Sequence, residues 1–205
     1  MPIRIPNSFI PKLLKVARHE MGHFIVARYH GFVTGDCKIK LLFTGEVGHA
    51  ASATIQLQRP IRSIEDVVSY AELRCQVLSA GALAEALDED GGIDNAYAIN
   101  ETQNGGAKDD YSKVRELLHL IRNINHAAEP IDDITSHQQL NAVYDRIWND
   151  AAKIVTDNHE LISGLAYNLA DRVKMTDTEY VLTNNEIEQV PNFRKWVAHT
   201  TPQIP

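Results

Sequence analysis

The chain has 205 residues, 44% hydrophobic and 23% charged, with a formal net charge of −7. That composition excludes extensive disorder and supplies apolar material for one sizeable core, so a single domain large enough for a catalytic cleft is expected. Lys and Arg are scattered among acidic residues, without the basic patch that phosphate backbones need, so no nucleic acid is expected as a partner.

The chain opens with Met1-Pro2-Ile3-Arg4-Ile5-Pro6, which lacks the apolar stretch of a secretory signal, and no apolar run approaches the ~18 residues of a membrane span. A cytoplasmic protein with no membrane partner is the expectation. Over 8–30, Leu13, Leu14, Ala17, Met21, Phe24, Ile25 and Ala27 recur at helical spacing, and Gly31 follows where a helix would stop, which predicts one helix. Between 37 and 57 the pattern turns to short alternation, Cys37-Lys38-Ile39-Lys40-Leu41 and Ala53-Thr54-Ile55-Gln56-Leu57, separated by Gly45 and Gly48. This predicts a small β element.

Ser63 with Asp66 three positions on reads as a capping box ahead of a long buried helix carrying Leu73, Val77, Leu78, Ala84 and Leu87. Gly81 falls inside that helix; an interior glycine costs about 1 kcal/mol against alanine, so it signals close approach of another backbone or side chain. The Gly-, Asn- and Asp-rich stretch 88–106 reads as a loop. Helical periodicity returns over 109–126 and over 135–172, the latter as two helices bent near Asn158. Tyr180-Val181-Leu182 reads as an extended piece, and Thr183 with Glu186-Ile187 as a capped terminal helix. The tail after Pro191 is expected to be loosely held. The fold class is therefore α+β, predominantly α-helical, with a small β element and a C-terminal helical bundle. One domain over 1–190 precedes a tail over 191–205. Cys37 and Cys75 form neither a metal clip nor a disulfide framework and are read as small apolar groups in a reducing compartment.

Chemistry concentrates in His19-Glu20-Met21-Gly22-His23. On a helix, positions i and i+4 share a face, so His19 and His23 can present two imidazole nitrogens to one ion while Glu20 reaches a water bound to it. This is the zincin arrangement. Burying two histidines and a glutamate without a shared partner is costly, and a zinc ion removes that cost. Gly22 is read as leaving room beside the metal. The bland alternative is an amphipathic helix whose histidines are ordinary core or surface residues.

A catalytic zinc needs a third protein ligand and an open position. Phe24-Ile25-Val26-Ala27-Arg28-Tyr29 lacks the Gly and His of the metzincin extension, so His30 is not expected to bind the ion. Spacing alone leaves Glu72 and Glu85, or Asp109 and Asp110, as candidates. His49, His119, His126, His137 and His159 lack ligand spacing and are read as surface or partly buried residues.

Three segments together resemble the peptidase domain of the FtsH family, membrane-anchored, ATP-dependent AAA zinc proteases. Ala17-Arg18-His19-Glu20-Met21-Gly22-His23-Phe24-Ile25-Val26-Ala27 resembles that family's HEAGH helix. Ser79-Ala80-Gly81-Ala82-Leu83-Ala84-Glu85-Ala86-Leu87 is similar to its LGGRAAEEL helix, and Gly105-Gly106-Ala107-Lys108-Asp109-Asp110 to its TGAxxD turn. Weaker similarity continues to about Val190.

The resemblance implies Zn2+ held by His19, His23 and Asp110, Glu20 as the base, and Glu85 as an acceptor for a ligand histidine. It also implies an edge strand to which an extended peptide is added. The departures are Ala82 where the family carries Arg, a longer 88–106 segment, and no membrane span or phosphate-binding loop within these residues.

The expected function is a zinc-dependent endopeptidase acting through a metal-activated water, ATP-independent in this chain. Its expected substrate is a peptide or unfolded protein; a homo-oligomer and a separate ATPase or adaptor are open as partners. The alternatives are a non-catalytic peptide- or protein-binding module on the same fold, or a regulatory peptidase with one specific partner substrate.

Overall fold

The computed structural model describes residues 2–43, 47–129 and 132–200. Its first long helix, α1 (Ile10–Tyr29), follows a single 3-10 turn at Asn7–Phe9 and carries Pro11 in its first turn, where no intrahelical N–H is lost. It stops where the sequence indicates. Gly31 adopts φ +76°, the Gly31 N–H donates to Arg28 O at 3.0 Å, and the Phe32 N–H donates to Ala27 O at 2.9 Å. This is a Schellman closure, which favours glycine at the left-handed position.

From Val16 to Ala27 only Arg18 is not buried, and a helix apolar on nearly every face belongs at the centre of a core. Around it lie β1 (Val33–Phe43), β2 (Val47–Gln56) and β3 (Glu179–Leu182), an antiparallel sheet of order β2-β1-β3. The expected alternation holds in β1: Cys37, Ile39 and Leu41 face the core, while Lys38 and Lys40 are half-buried. Gly48 lies inside β2 and does not separate strands; Gly45 lies outside the described residues. Among the described residues β2 pairs only with β1, and its other edge is open.

α2 (Ile64–Glu85) begins at the expected Ser63–Asp66 capping box, whose two hydrogen bonds are each 3.1 Å. It runs antiparallel to α1, with His23 beside Val77 and His19 beside Glu85. The crossing is tight. A Cβ on Gly22 would lie 2.4 Å from Ala80 O and 2.5 Å from Ala84 Cβ, so Gly22 serves the contact between the helices and not the metal, as first read.

The 88–106 segment is not a continuous loop. Asp94 caps α3 (Asn95–Asn104) by accepting from the Tyr97 N–H at 3.0 Å, Ala98 and Thr102 are buried, and Trp148 Nε1 donates to Asn95 Oδ1. Cap and tertiary contacts thus override the poor helix propensity of its asparagines. α4 (Lys108–Asn125), α5 (Asp133–Asp157) and α6 (His159–Ala170) follow, with the break at Asn158 as expected. A smaller apolar cluster, including Cys75, Leu78, Val114, Leu118, Ile121 and Ile147, joins α2, α4 and α5.

Thr183 and Glu186 form the capping box of α7 (Asn184–Gln189). Beyond it the expectation of a loose tail is corrected: 191–200 form α8, and Phe193 is fully buried with its ring 5.9 Å from that of Phe24. An aromatic side chain of that size supplies a large apolar contact, so α8 is part of the core that the 1–190 boundary left out. Residues 201–205 lie outside the described set. The fold is α+β and predominantly helical, and among the described residues no helix is long and apolar enough to cross a membrane.

Candidate metal centre

His19 and His23 lie one turn apart on α1, each 8% exposed. Each is oriented through its Nδ1. The Val77 carbonyl can only accept, so His23 Nδ1, 2.7 Å away, carries the hydrogen. His19 Nδ1 lies 3.3 Å from Glu85 Oε2, and the Tyr97 hydroxyl donates to Glu85 Oε1 at 2.8 Å. Both Nε2 atoms are left to face one point.

α4 brings Asp110 to that point: Asp110 Oδ2 lies 3.4 Å from His19 Nε2 and 3.1 Å from His23 Nε2. Among the described residues these three form the converging metal-ligand group, with ligand atoms all within 4.8 Å of one another. Tetrahedral zinc with bonds of about 2.0–2.1 Å has ligand-to-ligand edges of roughly 3.3 Å, so the donor set fits that ion. Gly81 supplies the space. A Cβ there would sit 2.6 Å from both Nε2 atoms, the close approach that an interior glycine in α2 signalled.

The other candidates resolve physically. Glu72 pairs with Arg146 at 2.5 Å, and Asp109 is exposed on the rim of the cleft. His30 Nε2 bonds Gln76 Oε1 at 2.7 Å, away from the ligand group. Glu85 touches a ligand histidine and not the ligand point. Cys37 and Cys75 are both buried and free, and burial pushes the Cys75 thiol up to about 12, which leaves it inert.

Glu20 is 7% exposed and lies beside the two imidazoles. Burial raises its carboxyl above the usual range, the charges of His23 and His19 oppose that, and the Ala53 N–H of β2 hydrogen-bonds the carboxylate. The cleft in front of it has a volume of about 880 Å³, with His49, Ser52 and Ala53 of β2, Arg74 of α2, and Tyr97 of α3 among its walls. Sequence reasoning missed His49 and Tyr97 here. His49 carries no spacing signal, and Tyr97 fell in a segment read as loop. Burial and the nearby Lys12 ammonium lower His49, which favours its neutral form.

Electrostatics in the metal-free protein make a testable link to zinc. Burial opposes charge on His19, but hydrogen bonds to Asp110 and Glu85 and the charges of Glu20 and Glu85 outweigh it and push the imidazole up to about 10. Burial also opposes the Asp110 carboxylate, yet its bonds to His19 and His23 hold it well below the usual range. At neutral pH the metal-free site therefore keeps a proton on His19 against an ionised Asp110. Zinc takes neutral imidazole, so uptake at pH 7 is expected to release about one proton per ion, and affinity to rise about tenfold per pH unit from 7 to 9. Calorimetry in buffers of different ionisation enthalpy measures that proton; no release would contradict the pairing. Because the His19 value is raised above 6.5, the pairing stabilises the metal-free fold fully below about pH 6.5 and is lost as pH rises through about 10.

Neither a protein-family model nor a curated protein matches this chain.

Proposed function

We propose that this chain is a zinc-dependent endopeptidase of the FtsH type that hydrolyses extended or unfolded polypeptides without ATP-driven delivery from within these 205 residues. The observation that carries the reading is the convergence of His19, His23 and Asp110, with donor atoms 3.1–3.4 Å apart across the aspartate, next to a buried glutamate on an open cleft. His19, His23 and Asp110 would hold the ion; once bound it supplies Lewis acidity that acidifies a water and polarises the scissile carbonyl.

The chain's own residues do the rest. Glu20, held by the Ala53 N–H and raised by burial, accepts a proton at its carboxylate and returns it to the leaving amine. No serine or cysteine nucleophile is required, in keeping with the inert, buried cysteines. The open edge of β2 runs along the cleft and offers backbone N–H and C=O groups to an extended peptide, a sequence-tolerant mode of binding. Tyr97 and Glu85 hold His19 in its orientation.

The proposal predicts that the protein digests a generic unfolded polypeptide, leaves a panel of stable folded proteins intact, and stops when zinc is chelated. Cleavage of a single folded partner and nothing else would favour the regulatory-peptidase reading. Saturable peptide binding without any cleavage, in zinc-replete protein, would favour the binding module.

A further inference from the structure

A groove of about 440 Å³ runs between α4 and α5 and shares no lining residue with the metal cleft. Arg115, His119 and Arg122 reach it from α4 at positions i, i+4 and i+7, which lie on one helical face, and Ser136 and His137 reach it from α5. Asp133 is the one carboxylate among its lining residues.

Arg122 is 4% exposed, and its hydrogen bonds go to neutral acceptors: Nε to Gln139 Oε1 at 2.9 Å and Nη1 to Asn123 Oδ1 at 3.4 Å. Its Nη2 is buried with no acceptor. Ser136 Oγ, also buried, has no partner either. Among the described residues the arginines in ion pairs are Arg28, Arg146 and Arg172, so neither Arg122 nor the exposed Arg115 is neutralised by direct contact. The charge of Arg122 is felt by the exposed Glu129 and Asp132, but at longer range. A buried guanidinium matched by amides alone is costly, and such a group is normally met by a carboxylate or a phosphate through parallel N–H bonds.

We propose that this groove binds a phosphate-bearing small molecule. Arg115, His119 and His137 present exposed donors from opposite walls, and Arg122 and Ser136, whose unpartnered Nη2 and Oγ are buried, would turn toward the groove to add theirs. A tetrahedral phosphate dianion has enough oxygens to accept from all of them, whereas a carboxylate has two. Asp133 is the one carboxylate facing the two guanidinium groups from the groove lining itself, and Glu129 and Asp132 act on Arg122 from outside it. The volume also lies within the range of small-molecule sites.

The test is a titration of the protein with inorganic phosphate followed through the histidine ring resonances, for wild type and for Arg115→Ala, an exposed position whose loss leaves the core intact. Saturable shifts at His119 and His137, with binding weakened about tenfold or more in Arg115→Ala, are expected. An Arg122→Gln variant, if folded, should lose the shifts altogether. Three results would overturn the proposal: no saturable shift at His119 and His137, shifts confined to His19, His23 or His49, or undiminished binding in Arg115→Ala.

Discussion

Glu20→Gln is expected to lower peptide hydrolysis by about 10²–10⁴-fold while leaving fold and zinc content unchanged. Glutamine has the shape of glutamate but cannot take up a proton at that position, so only the proton transfers are removed. The site tolerates the exchange. Glu20 is nearly buried, burial already opposes its charge, and none of the three ligand atoms belongs to it. Its Ala53 N–H partner can still bond the glutamine carbonyl oxygen. Steady-state hydrolysis of a fluorogenic peptide, with zinc measured on the same samples, gives the answer. Turnover retained in a zinc-replete variant would remove Glu20 from the mechanism.

Gly81→Ala is expected to weaken zinc binding on the order of 100-fold, although a methyl group in an α-helix ordinarily stabilises it. The added Cβ would lie 2.6 Å from Nε2 of His19 and of His23 and 2.7 Å from His23 Cε1, so the imidazoles must move. They have little freedom to do so: His23 is fixed by the Val77 carbonyl, His19 by Glu85, and α1 is packed on nearly every face. Gly164→Ala is the control. A Cβ there meets nothing within 4 Å in α6, so that variant should bind zinc normally and gain about 0.5–1 kcal/mol of stability. Normal zinc affinity in Gly81→Ala would mean that the metal does not sit between these two histidines.

Much of this arrangement is legible in the sequence because it is written in local patterns. The period of α1, the alternation in β1, the two capping boxes at Ser63 and Thr183, and the glycine stop at Gly31 are each satisfied within a few residues of the signal. The pairing of His19 with His23 follows from helix geometry alone. What was not legible depends on contacts between distant segments. Spacing cannot choose Asp110 over Asp109, because the docking of α4 on α2 sets which carboxylate turns inward. α3 has few apolar residues of its own and is fixed by Asp94 and Trp148. α8 looks polar along the chain, yet Phe193 beside Phe24, with Trp196 and Val197 packed on the same core, anchors it. Gly22 was read as leaving room beside the metal and Gly81 as a close approach, but only the crossing of α1 and α2 decides that Gly81 is the one facing the ligand atoms.

The most direct test of the central claim is the metal content of the purified protein by elemental analysis after dialysis, wild type beside His23→Ala and Asp110→Ala. About one zinc per chain in the wild type, lost or sharply reduced in both variants, is the expected result. A well-folded wild type that holds no zinc, even after zinc is added back, would contradict the claim and leave the convergence of His19, His23 and Asp110 as a buried ion-pair cluster.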